Sequence, residues 1–256
     1  MDISNELNQE GLQEHFKTFF RSQSTDFRAS SIAKLIGKQV DSSCDKILDL
    51  GCGSCVVSAH LLRMGLDVTS CDTSEAMIQM AHQTLTEENL ATDKLHLMDI
   101  AQCHQRFLGS FDTIINLDVI EHIKNDQEAL NQIYEILAPS GRLLLSVPAH
   151  PFLYGPKDEQ VGHYRRYSKS MLHERLDSAG FKNIRIRYWN LAGFLCVWLS
   201  LKVLNRQINE TFRSSRRTRA QAMLNSLLRA WFQSIENHLP MPTGLTLIAQ
   251  AEKPDV

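Results

Sequence analysis

The stretch Lys46-Ile47-Leu48-Asp49-Leu50-Gly51-Cys52-Gly53-Ser54 constrains this chain more than any other. An apolar run of strand length enters a turn with two glycines one residue apart. Val56, Val57, His60, Leu61 and Leu62 then recur at helical spacing. A strand, a glycine turn and a helix form a cradle for a nucleotide-like ligand. Glycine has no Cβ, so the backbone can turn tightly and a ligand can approach it closely. The helix start adds unpaired N–H groups and a partial positive charge. A dinucleotide fingerprint would need a third glycine at position 56, where Val56 stands. No Gly-Lys-Ser/Thr is present, so the turn is not a phosphate loop of the NTPase type. A nucleoside ligand without a pyrophosphate remains.

Two carboxylates fit that ligand. Asp72 ends the predicted second strand, where it can accept both ribose hydroxyls; its alternative role is to cap the next helix. Asp99 ends the predicted third strand. There it can accept from an exocyclic adenine amine, or serve as an ordinary surface-loop residue. Met77 and Ile100 would supply apolar faces for the base.

Around these residues strand and helix patterns alternate. Strands are predicted at 47–50, 66–71, 95–98, 111–117, 142–147, 181–187 and 245–249. Pro139-Ser140-Gly141 stops one intervening helix, and Gly180 ends another. Alternation of this kind predicts an α/β fold, a doubly wound and mostly parallel sheet. Four parts are expected: a helical cap over 1–45, a core over 46–190, a helical insertion over 191–242, and a last strand and tail over 243–256. The cap carries Phe16, Phe19, Phe20 and Phe27 at helical spacing, as a helix packed on the sheet edge or a lid.

A formal net charge of -2, from 27 basic and 29 acidic residues, leaves no broad basic face for nucleic acid. The polar, acidic N-terminus carries no signal peptide, so the expected location is cytoplasmic, with the inner membrane face as an alternative. The six cysteines are then expected to be reduced. Cys52-x-x-Cys55 has no second pair at ligand spacing, so no metal is expected there.

Ile47 to Gly53, Cys71-Asp72-Thr73-Ser74, Asp99-Ile100, and Phe111-Asp112 through Leu117-Asp118-Val119-Ile120-Glu121-His122 together resemble class I S-adenosylmethionine-dependent methyltransferases. The resemblance spans about residues 44–190 plus the last strand. It implies a seven-stranded Rossmann-like sheet whose last strand inserts antiparallel beside the sixth. It implies S-adenosylmethionine as cofactor. Gly51 and Gly53 would lie against its methionine part, with Asp49 supporting that end. The Leu117 carbonyl would contact its amino group, and Asp72-Thr73, Met77 and Asp99-Ile100 would hold the adenosine.

An oxygen nucleophile needs a base for its proton. Candidates belong at the C-terminal ends of strands four and five, where open α/β sheets place their ligands. Glu121-His122 follows strand four. Related ubiquinone-pathway O-methyltransferases have a similar acidic/His stretch that can hold a divalent metal, and Asp118, Glu121 and His122 could imitate it; the alternative is a structural role. After strand five, residues 148–167 concentrate His150, Tyr154, His163, Tyr164, Arg165, Arg166 and Tyr167. Asp158, Gly162-His163 and Arg165-Arg166-Tyr167 resemble a bacterial subgroup of these enzymes. His163 is the first choice for the base, with His150 and His122 next. Tyr154, Arg165, Arg166 and Tyr167 are expected to bind substrate, an arginine by pairing with a carboxylate or phosphate. An ion pair of either arginine with Asp158 or Glu159 is the competing role.

Leu191–Leu204 is almost wholly apolar, yet shorter than the roughly 20 residues that span a bilayer. A basic loop with Arg213, Arg216, Arg217 and Arg219 follows, then a helix pattern with Leu224, Leu227, Leu228, Trp231 and Ile235 on one face. This insertion suits a pocket roof, a homodimer face or a peripheral membrane contact through 191–236. The expected reaction is O-methylation of a small, apolar or partly anionic molecule. The alternatives are a lipid-linked acceptor, such as a quinone or glycolipid, and a non-catalytic module that binds the cofactor.

Overall fold

The computed structural model describes residues 27–40, 46–202 and 219–255. Phe16, Phe19 and Phe20 of the expected cap, and most of the basic loop, lie outside the described residues. The chain runs α1 (Phe27–Gly37), β1 (Lys46–Leu50), α2 (Val56–Arg63), β2 (Asp67–Asp72), α3 (Glu75–Glu87), β3 (Leu95–Leu97), α4 (Ile100–Phe107) and β4 (Phe111–Leu117). It continues through α5 (Asp126–Ile136), β5 (Leu137–Pro148), α6 (Pro156–Gln160), α7 (Lys169–Ser178), β6 (Lys182–Trp189), α8 (Leu191–Lys202), α9 (Arg219–Trp231) and β7 (Thr246–Glu252).

The strands form one sheet in the order β3-β2-β1-β4-β5-β7-β6. Only β7 is antiparallel to its neighbours. The expected fold is therefore present, including the late antiparallel strand. β5, β6 and β7 run past the ends of their hydrophobic patterns. β5 begins at Leu137, where Leu137 pairs with Phe111 before the register shifts. β6 and β7 pair from Lys182↔Glu252 to Trp189↔Thr246, and that partnership, not apolarity, sets their ends.

Alternation along each strand sends neighbours to opposite faces. Leu48, Ile114, Leu143 and Leu145 join one buried cluster with Leu130, Ile133, Leu172 and Leu176 of α5 and α7. Ile47, Ile115 and Leu144 join another with Ile36 of α1 and Leu61 of α2. Both faces are covered, which explains why the strands read as continuous apolar runs.

Because β7 runs antiparallel, the segment between β6 and β7 leaves and returns at the same rim. Trp189, Thr246 and Pro148 are register partners there. That rim is the C-terminal end of the parallel strands, where such sheets bind ligands. Glu236 fastens the insertion to it. Its buried carboxylate accepts from the backbone N–H of Asn190 at 2.6 Å and of Leu191 at 3.1 Å, and from Trp231 Nε1 at 2.6 Å. Trp189 Nε1 donates to Asn237 Oδ1 at 3.1 Å, and Asn237 Nδ2 donates to the Ser31 carbonyl at 3.0 Å, which ties in α1. The predicted apolar face of α9 is only partly realised: Leu227 is 60% exposed.

Candidate active site

The glycine turn closes onto the neighbouring strand. The N–H groups of Gly51 and Cys52 both donate to the Cys71 carbonyl, at 2.8 and 2.9 Å. Gly51 has φ +84°, and a Cβ there would lie 2.3 Å from Val119 Cγ2. Glycine is thus required both by conformation and by the close approach of the segment after β4. Gly53 has φ +53° and open space where a Cβ would project. Cys55 is buried among Ala59, Ala81 and Leu85, so it is a packing residue.

Asp49 is 3% exposed and accepts from Ser58 Oγ, which itself accepts from Ser70 Oγ at 2.9 Å. Burial is the main reason its carboxyl is pushed up to about 6, and the Ser58 bond only partly offsets this. A buried carboxylate behind the turn favours a cationic group in front of it. Asn116, buried in β4, donates from Nδ2 to the Leu50 carbonyl at 2.8 Å and holds the end of β1. Neither the Ser58–Ser70 pair nor Asn116 was legible as support for the turn, because each acts between elements far apart in the chain.

Asp72 bridges the turn and the next helix. Its two oxygens accept from Gly53 N–H at 2.9 Å and Ser74 N–H at 2.8 Å. Ser74, and not Asp72, is the cap of α3: its side chain accepts from Met77 N–H. A carboxylate has about four acceptor positions, so Asp72 keeps two for a diol. Thr73 is exposed beside it, while Met77 is buried on α3. Asp99 is exposed and caps α4: Oδ1 accepts from Gln102 N–H at 2.7 Å, and Gln102 Oε1 accepts from Asp99 N–H at 2.9 Å. Only Oδ2 of Asp99 is left without a bond in this capping box. Ile100 follows it, half-buried against the core.

The segment after β4 turns sharply. Leu117 is the last residue of β4, and Asp118 has φ +54°. Asp118 Oδ1 accepts from Ser146 Oγ at 2.8 Å. A 3-10 turn, Ile120–His122, then buries Glu121 completely. Neither Glu121 oxygen has a hydrogen-bond partner. Burial, then the Asp118 charge, push the Glu121 carboxyl well above the ordinary range. His163 Nε2 lies 3.9 Å from Glu121 Oε1, and the His122 and His163 rings meet edge-to-face with centroids 4.6 Å apart. One donor atom from each of Glu121, His122 and His163 falls within 4.8 Å of the others. Two imidazoles and a buried carboxylate fit a divalent cation by donor chemistry. The set includes His163 in place of the Asp118 expected from the sequence.

His163 comes from the segment after β5, which folds around Asp158. Asp158 is 2% exposed, and its Oδ1 lies 2.9 Å from His163 Nδ1. Its Oδ2 accepts from Arg166 Nε at 2.9 Å and from Gly155 N–H at 3.1 Å. Burial pushes this carboxyl up, but the bonds from His163 and Arg166 outweigh it and hold Asp158 below its ordinary value. Burial and the neighbouring His163 lower the pKa of His122, and burial lowers that of His150.

The expected substrate contacts fare differently. Tyr167 is fully buried and donates to Asp126 Oδ2 at 2.9 Å, so it is a core residue and the substrate role is corrected. Arg165 donates to the carbonyls of Ile123 at 2.7 Å and Lys124 at 2.6 Å and lies 3.2 Å from Asp126, which anchors the loop. Arg166 is committed to Asp158, the competing role read from the sequence. Tyr154 is 38% exposed, and its hydroxyl donates to the His163 carbonyl at 2.9 Å. His150 sits apart from the Asp158 pair. It has φ +66°, bonds Thr243 Oγ1 at 2.9 Å, and stacks on Tyr188 with centroids 5.1 Å apart.

Residues 12–186 match a family model described as a methyltransferase domain. The chain belongs to this methyltransferase family. The enzyme class and the cofactor expected from the sequence, S-adenosylmethionine, stand with that assignment. Similar curated proteins include the mitochondrial ubiquinone biosynthesis O-methyltransferase of Schizosaccharomyces pombe, 29% identical over 42% of this chain and 39% of that protein. The ubiquinone biosynthesis O-methyltransferase of Nitrosococcus oceani is 31% identical over 40% of this chain and 42% of its own. The methyltransferase thus matches about two-fifths of the length of these relatives. Among solved structures, phosphoethanolamine N-methyltransferase 2 of Haemonchus contortus, with phosphomonomethylethanolamine and S-adenosylhomocysteine, aligns with a TM-score of 0.60 at 23% identity over 88% of this chain and 53% of its own. A Thermotoga maritima methyltransferase described as a possible histamine N-methyltransferase aligns with a TM-score of 0.58 at 14% identity over 95% of this chain and 98% of its own. These two structures share the fold.

Proposed function

We propose that this methyltransferase moves the methyl group of S-adenosylmethionine to an oxygen of a small, largely apolar acceptor, with His163 as general base. The observation that carries this reading is the Asp158–His163 pair. An ionised carboxylate can only accept, so the ring proton sits on Nδ1 and Nε2 keeps its lone pair. Nε2 lies 3.9 Å from Glu121 Oε1, and the ring meets His122 edge-to-face. The acceptor oxygen attacks the methyl carbon, the carbon–sulfur bond breaks, and the hydroxyl proton passes to Nε2. Alignment of the two reactants supplies much of the rate. Proton removal adds about 10²–10⁴-fold. His163→Ala should therefore lower turnover by about that factor while calorimetry finds donor affinity unchanged. Undiminished turnover would remove His163 as base.

The cluster of Glu121, His122 and His163 favours a second reading. A divalent cation, when bound there, would lower the pKa of an acceptor hydroxyl. His163 would then orient the acceptor as a ligand and not as a base.

The acceptor can also be lipid-linked. Leu195, Trp198 and Leu199 form an exposed stripe on α8, and Met223 and Leu227 are exposed on α9. The intervening sequence carries Arg213, Arg216 and Arg217, which suits an anionic bilayer. No helix among the described residues is long and apolar enough to cross a membrane. Trp198→Glu should abolish co-sedimentation with anionic vesicles. Concentration-dependent dimerisation lost in the same variant would instead assign the stripe to a second copy.

A further inference from the structure

A cavity of about 290 Å³ lies between β6, the edge strand, its neighbour β7 and the end of α1. Its lining includes Leu35, Gln39, Arg185, Arg187, Ile248 and Gln250. Arg185 pairs with Gln250 and Arg187 with Ile248, so the two arginines alternate onto one face of β6. No lining residue is acidic. Arg187 Nη1 donates to the Glu236 backbone carbonyl at 3.3 Å, but its Nη2 is buried without a partner. The Glu236 carboxylate nearby already accepts from Asn190, Leu191 and Trp231. Gln39 Oε1 is likewise buried and unpartnered. The cavity thus offers two guanidinium groups, one with an unused buried donor, and one unused buried acceptor. A water molecule could bridge Nη2 and Oε1, yet it brings no charge to offset two cations. Burial lowers the pKa of Arg187, opposed by the Glu236 charge, which marks a guanidinium whose desolvation is only partly compensated.

We propose that this cavity is a binding site for a small oxyanion that carries a proton, of the hydrogen phosphate class. Arg187 and Arg185 hold its charged oxygens, and Gln39 Oε1 accepts from its hydroxyl. Guanidinium forks match phosphate oxygens in geometry and charge. The residues expected to hold the donor lie on or just after β1, β2, β3 and β4, while β6 and β7 form the far side of the sheet beyond β5. The site is therefore separate from the methyl donor and independent of the base assigned to the reaction.

Calorimetric titration of the full chain with sodium phosphate, in saturating S-adenosylhomocysteine, tests this. Phosphate should bind, and Arg187→Met should weaken it by about tenfold or more, with a smaller loss in Arg185→Met. Sulfate, which has no proton at neutral pH, should bind about tenfold more weakly than phosphate, and Gln39→Met should erase that preference. If Arg187→Met fails to fold by circular dichroism, the exposed Arg185→Met and the charge-keeping Arg187→Lys carry the test. No binding by the wild-type protein, as for a cavity holding water only, would overturn the site. So would binding unchanged in every folded arginine variant, or sulfate binding equal to phosphate.

Discussion

Asp158 accepts from His163 through one oxygen and from Arg166 through the other, each at 2.9 Å. One buried carboxylate therefore sets the imidazole tautomer and holds the loop that carries it. Asp158→Asn would offer an amide N–H toward Nδ1 and favour the proton on Nε2. Turnover should fall by about 10²-fold or more, with donor affinity kept, and the acidic limb of the kcat/KM profile should move. A profile and rate like the wild type would separate Asp158 from the chemistry.

The same pair bears on acid stability. The Asp158 pKa is lower in the folded state, so its stabilisation is present above the unfolded carboxylate value and is lost as pH falls through the folded one. Wild-type Tm should therefore drop more steeply below about pH 4 than that of Asp158→Asn. Parallel acid melting curves would contradict this.

Asp49 has the opposite sign. Its folded-state pKa is raised to about 6, so the folded chain binds more protons and stability falls as pH rises between the unfolded value and 6. Asp49→Asn should raise the Tm of the ligand-free protein at pH 8, by an amount worth about 3 kcal/mol, and change it little at pH 4. Donor affinity should rise with pH through about 6 in the wild type and be weak and flat in the variant. Calorimetry at pH 5 and pH 8 checks both arms.

Asp72→Ala removes the acceptor for Gly53 and Ser74 as well as the expected ribose contact. A stability loss of about 1–3 kcal/mol should accompany a loss of donor binding of about 10²-fold or more. Thermal melts and calorimetry separate the two effects. Unchanged affinity in a folded variant would remove the ribose assignment.

Chelation distinguishes the two roles of His163. With His163 as base, EDTA-treated protein should keep its turnover. Loss of turnover that Mn²⁺ or Zn²⁺ restores in the wild type but not in Glu121→Gln would make His163 Nε2 a ligand beside Glu121 and His122.

Much of this was legible in the residue order because it is local. The β1–turn–α2 unit and the strand sequence both depend on neighbours within a few residues. Tyr167 was read as a substrate contact because polarity in a loop cannot report that the loop folds inward onto Asp126. Arg165 and Arg166 were open between substrate and anchor for the same reason. Nor could spacing show that the segments after β4 and β5 meet.

The sequence by itself determined the family and the fold, with the glycine turn at its centre: apolar periodicity and glycine conformation act over short range. Tertiary structure alone decided which titratable groups converge. Glu121 and His163 are far apart in the chain, yet parallel pairing of β4 with β5 brings their two strand ends side by side. Burial at that junction then removes water from Glu121, and this sets its protonation in a way no linear pattern encodes.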